Sequence, residues 1–191
     1  MAVRPRFWLL PGSALLLVAV TAWDHGRVPV RRTGSETHDQ LRYLPPALQF
    51  ELFDEQNRPV RLQRYIGRHR ILVAFYDGEQ GADRDATLLM LRRHFSTLQK
   101  RDVMVVAVSG ALPQQARRAT QRGGKFPFPL LSDGGPSPLA THRGWGRWDA
   151  ETKSTQDGLF LVDRAGRVAW SDGAPLSAKN PAGLIRRLVG R

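Results

Sequence analysis

The chain has 191 residues, 41% of them hydrophobic, enough for one core and too few for several. It contains no cysteine, which excludes disulfides, thiolate metal sites and every thiol-based reaction. Its formal net charge of +12 favours anionic partners: phospholipid surfaces, acidic proteins or nucleic acid.

Residues 1–23 read as a signal peptide or an N-terminal membrane anchor. Arg4 and Arg6 precede an uncharged apolar run of 17 residues from Phe7 to Trp23. As a helix that run would be about 26 Å long, a little short of a hydrocarbon core, and Pro11-Gly12 interrupts it. Val20-Thr21-Ala22 offers residues that a signal cleavage site tolerates. Arg27, Arg31 and Arg32 compete with Arg4 and Arg6 in setting orientation, and the expected location is exported, tethered if the segment is uncleaved. Residues 24–44 are polar, without apolar periodicity, and read as a flexible linker in which His25 and His38 are solvated. Residues 45–191 form the folded domain.

Leu48 to Phe53 and Pro59 to Leu62 predict two short strands joined by an Asp54-Glu55-Gln56-Asn57 turn. Arg58, Arg61, Arg64, Arg68 and Arg70 follow at short intervals, as a basic stripe or a solvated face. Ile71 to Tyr76 is a six-residue apolar run that fits a strand covered on both faces. The loop after it carries Asp77, Gly81, Asp83, Arg84 and Asp85, with Asp83 or Asp85 placed to cap a helix. Ala86 to Lys100 predicts one amphipathic helix, with Leu88, Leu91, Phe95 and Leu98 on its apolar side. Val103 to Val108 predicts a second buried strand, parallel to the first through a right-handed crossover. A helix is expected over Pro113 to Gln121, a strand over Phe126 to Leu131, and a short helix over Pro138 to Arg143. Glu151 to Asp157 reads as an exposed polar segment. Leu159 to Val162 and Val168 to Ser171 predict a hairpin, and Asn180-Pro181 opens a last helix. The layer class is α/β.

Several strings in this order resemble the peroxiredoxins, the alkyl hydroperoxide reductase and thiol-specific antioxidant (AhpC/TSA, redoxin) branch of the thioredoxin fold. They are FELFDEQNRPVRL, ILVAFY, VMVVAVS, FPFPLLSDGG followed by THRGWG, and GLFLVDRAGRV. The resemblance spans about Leu48 to Leu188. It implies a thioredoxin-like, peroxiredoxin-type mixed central sheet flanked by helices, with an N-terminal hairpin. It also implies a site built from a proline, a threonine, a peroxidatic cysteine and an arginine. Those positions fall on Asp77, Gly81, Arg84 and Asp157, and a one-residue shift would place Asp85 at the cysteine. All four residues are replaced, so thiol peroxidase activity is expected to be absent. Arg84 is expected to centre an ion pair with the neighbouring acids, closing a dead site.

Other chemistry finds little support. There is no phosphate-binding or dinucleotide glycine loop, no HExxH and no Gly-x-Ser-x-Gly. His69, His94 and His142 lack paired ligand spacing, so no metal and no cofactor is expected. Trp145, Arg147 and Trp148, with Arg143, form an aromatic-basic cluster that is a candidate binding site for an anionic or stacked ligand, or simply structure. The leading expectation is a pseudoenzyme-like binding module for an acidic protein partner or an anionic membrane surface. The alternative is an antioxidant-family oxidoreductase using cysteine-independent chemistry through Asp77, Asp83, Asp85 or Asp157. Nucleic acid fits an exported protein poorly, and a homo-oligomer is left open.

Overall fold

The computed structural model describes residues 47–135 and 137–172, with Gly183, Ile185 and Arg186. The expected targeting segment and linker, and most of the last helix, lie outside the described residues. Among the described residues nine strands run β1 (Glu51–Phe53), β2 (Pro59–Arg61), β3 (Arg70–Phe75), β4 (Val103–Ser109), β5 (Leu130–Ser132), β6 (Trp148–Asp149), β7 (Ser154–Thr155), β8 (Gly158–Val162) and β9 (Val168–Asp172). Four α-helices intervene: α1 (Ala86–Arg93), α2 (Phe95–Lys100), α3 (Pro113–Gly123) and α4 (Ala140–Gly144). Seven strands form one mixed sheet in the order β2-β1-β5-β4-β3-β8-β9. In it β3, β4 and β5 are parallel, while β8 runs antiparallel to β3 in the register Phe75↔Gly158.

The apolar runs become the centre of this sheet because both of its faces are covered. Alternate residues of β3 sort to opposite sides. Leu72 and Ala74 join a core with Leu88, Leu91, Leu98, Ala116 and Ala119 from the helices, and Ile185 adds its side chain from near the end of the chain. Ile71, Val73 and Phe75 join a second core with Phe50, Leu62, Trp145 and Phe160. Among the described residues, no helix is long and apolar enough to cross a membrane.

Three local expectations are corrected. The helix expected over Ala86 to Lys100 divides at His94, although its ladder continues through Leu98 N–H to the His94 carbonyl at 3.1 Å. The strand expected from Phe126 begins only at Leu130. Pro127 and Pro129 have no N–H to give a ladder, so Phe126 and Phe128 are buried without being paired. The short helix starts at Ala140, not at Pro138, where the Asp133 carboxylate can accept from Thr141 and His142 N–H. The polar segment from Glu151 to Asp157 is largely exposed, as expected, and also contributes β7 to the β6-β7 ribbon, paired Trp148↔Thr155 and Asp149↔Ser154.

Candidate functional site

The end of β3 delivers the chain into the loop of residues 77–85, and the approach to α3 lies beside it. Gly78 is required there: a Cβ at that position would sit 2.6 Å from Ala111 Cβ and 3.0 Å from Ser109 Cβ. Asp77 turns the loop by accepting the Glu79 N–H at 2.8 Å. Gly81 has φ of 89°, a left-handed conformation that suits glycine.

The acids of this loop are held in different ways. Asp83 meets Arg122 in a two-pronged contact, at 2.8 Å to Nη2 and 3.1 Å to Nε, and the guanidinium holds its carboxyl below the ordinary range. Arg122 therefore fills the role expected of Arg84. Arg84 lies on the exposed side of the turn and adds only a longer-range field at Asp83. The expectation of an ion pair centred on Arg84 is corrected accordingly. Asp85 caps α1, its Oδ1 accepting the Leu88 N–H at 2.7 Å. Burial pushes the Asp85 carboxyl up, against the pull of the Leu88 and Thr87 N–H groups, and the Asp77 charge adds to the rise.

Asp157 immediately precedes β8, whose first residue is level with Phe75, so it arrives beside the same loop. Burial raises its pKa, the Asp85 and Asp77 charges raise it further, and the Asp77 N–H opposes them. Two of the positions that the resemblance assigns to peroxide chemistry, Asp77 and Asp157, and Asp85 beside a third are thus carboxylates in each other's field. Below them the buried Tyr76 hydroxyl is hydrogen-bonded to Ser109, and burial pushes it up to about 12. Among the described residues no three His, Asp or Glu side chains come together to hold a metal ion.

The aromatic-basic cluster expected from the sequence is divided. Trp145 is 8% exposed and packs on Phe75, Phe160 and Phe50, as part of the core. Arg147 lies over the Phe160 ring at 5.5 Å and donates to the Asp157 carbonyl at 3.3 Å. Trp148 is half-buried beneath Arg143, and with Asp77, Glu79, Gln115 and Lys153 it lines a cleft of about 410 Å³. His142 is fully buried with Nδ1 2.7 Å from Asp133 Oδ2. Nothing in sequence pairs these two, nine residues apart, until the short helix brings the ring back over its own cap.

None of the curated proteins matches the chain. Solved structures do. The chain is similar to the peroxidoxin BcpB of Mycobacterium tuberculosis, with a TM-score of 0.64 at 17% identity over 77% of this chain and 95% of that one. It is similar to the mitochondrial 2-Cys peroxiredoxin of Plasmodium falciparum, with a TM-score of 0.62 at 16% identity over 76% and 90% of the two chains. For peroxiredoxin Q of Xanthomonas campestris the TM-score is 0.61 at 16% identity, over 74% and 90%. These likenesses establish the thioredoxin-like, peroxiredoxin-type fold. The AhpC/TSA family profile matches residues 45–171, and the chain, which has no peroxidatic cysteine, belongs to that family.

Proposed function

We propose that this protein is a non-catalytic peroxiredoxin-fold module, exported or tethered to a membrane through residues 1–23, that binds an acidic partner or an anionic surface. One observation carries the loss of chemistry. A peroxidatic thiolate needs positive potential from a helix N-terminus and a guanidinium. Here the first turn of α1 is occupied by the Asp85 carboxylate, and Asp157 stands where the guanidinium is expected. The net charge of +12 supports the binding half of the reading.

The test is hydroperoxide consumption by the full chain with thiol reductant supplied. No turnover above a protein-free control is expected, and clear turnover overturns the reading. Binding to an acidic surface is expected to weaken as salt rises, and salt-independent binding counts against it.

The raised carboxyls of Asp85 and Asp157 favour a second reading, cysteine-independent acid–base chemistry in the same place. If a turnover is found, Asp85→Asn and Asp157→Asn should abolish it. Unchanged turnover in both variants would sink this alternative.

A further inference from the structure

Exposed basic residues are concentrated at one end of the sheet. The starts of β3 and β4 and the β8-β9 turn meet at one end of the sheet, as the registers Arg70↔Val103 and Ile71↔Val162 require. Backbone bonds tie that end together: Gly67 N–H to the Arg164 carbonyl at 2.8 Å, and Arg70 N–H to the Asp102 carbonyl at 3.1 Å. Six exposed basic residues project from it, Arg64, Arg68, Lys100, Arg101, Arg164 and Arg167. They come from the loop before β3, the end of α2 and the β8-β9 turn. The acids at this end are Asp102, engaged by His69 and by Arg164 at 2.6 Å, and Asp163, whose Oδ1 accepts the Arg167 N–H at 2.9 Å. Both acids are half-buried, whereas the six basic groups are exposed. The opposite end, where β3 and β4 finish, carries Asp77, Glu79, Asp83, Asp85 and Asp157 beside Arg84, Arg122, Arg147 and Lys153, so its charges nearly balance.

Resting on the proposed binding function, we propose that the basic end is the surface that engages the partner, and that the partner is the headgroup layer of an anionic lipid bilayer. Two features favour lipid over an acidic protein. The basic groups stand on the tips of turns from separate elements, an arrangement that a flat charged layer can meet without a complementary groove. Five of the six are arginines, whose planar guanidinium pairs with phosphate oxygens in a two-pronged contact. The opposite end, whose charges nearly balance, gains no comparable attraction from that layer, so the domain docks with the Asp77 to Asp85 loop facing away from the membrane.

The experiment is co-sedimentation of the full chain with vesicles of phosphatidylcholine, alone or with one-third phosphatidylglycerol, at about 0.1 M salt, where the screening length is about 10 Å. Each basic side chain near such a surface strengthens partitioning about fivefold. The triple variant R64E/R68E/K100E should therefore lose at least roughly tenfold in binding to the anionic vesicles, and R64Q/R68Q/K100Q should fall between it and the unaltered chain. The control R84E/R118E/K153E removes the same net charge elsewhere and should stay within about threefold of the unaltered chain. Circular dichroism of each variant checks that it folds. Equal losses in the two charge-reversed triples overturn the assignment to the basic end while leaving the anionic-surface reading intact. An unaltered chain that does not distinguish the two vesicle types, yet is retained by immobilised polyglutamate in low salt, overturns the lipid assignment in favour of an acidic protein. Failure to bind either vesicles or polyglutamate overturns the binding function itself.

Discussion

Asp85 Oδ1 lies 2.7 Å from the Leu88 backbone nitrogen, so the first turn of α1 is closed by a carboxylate belonging to the chain itself. Replacing Asp85 by Ala removes that cap and should cost about 1 kcal/mol of stability in urea unfolding. Asp85→Asn keeps an acceptor of the same length and removes a partly buried charge. It should be neutral or stabilising, and a loss equal to that of the alanine variant would contradict the role of the charge.

The raised carboxyls of Asp85 and Asp157 fix the sign of one pH effect. A group whose pKa is higher folded than unfolded binds its proton more tightly in the native state. The stability it contributes is present below the unfolded pKa and is lost as pH rises through the folded one. Asp157→Asn should therefore stabilise the protein more at pH 7 than near pH 4, measured by parallel denaturant melts. A constant difference across that window would show that Asp157 does not titrate differently on folding.

The buried pair of Asp133 and His142 behaves in the opposite sense. Burial resists ionisation of Asp133, but the His142 ring and the N–H groups of His142 and Thr141 outweigh it and hold the carboxyl below its ordinary value. This contribution is present above the unfolded pKa and is lost as pH falls through the folded one. Asp133→Ala strands two backbone donors and the ring in the interior, and should cost about 3 kcal/mol in urea unfolding at neutral pH.

Restoring a thiol should not restore the family's chemistry. Arg84→Cys would place a thiol beside Asp83 and Asp85, and neighbouring carboxylates disfavour the thiolate. Its pKa, read from the pH dependence of alkylation rate, is expected at or above about 8.5, the value for an unperturbed cysteine. A value below about 7 would show that the helix end still stabilises an anion.

Crowding between loops gives a further prediction. Gly78→Ala sets a methyl 2.6 Å from Ala111 Cβ, inside any allowed contact, so either the loop or the approach to α3 must shift. The cost should be about 1–3 kcal/mol by urea unfolding.

The central sheet is legible in the sequence because each of its main strands is a local signature. The runs at Ile71 and Val103 are apolar throughout, and the hairpin after Leu159 carries its own turn at Gly166, whose φ is 77°. What escapes a sequence reading depends on contacts between distant residues. Asp83 finds Arg122, and nothing within the loop distinguishes that arginine from the adjacent Arg84. Trp145 and Trp148 look alike as neighbours in sequence, yet one fills the core and the other lines a cleft, because the chain leaves the short helix at Trp145 and turns before Trp148. The strand start at Leu130 escapes for a simpler reason: the buried aromatics suggest pairing that the alternating prolines cannot supply.

The outermost strand on one side of the sheet, β2, is three residues long, begins with Pro59, and sets Arg61 against Glu51 of β1 at 2.7 Å. Proline offers no donor to a newcomer, and a charged residue on so short an edge resists being matched by another strand. On that side the sheet is guarded against cross-β growth between chains.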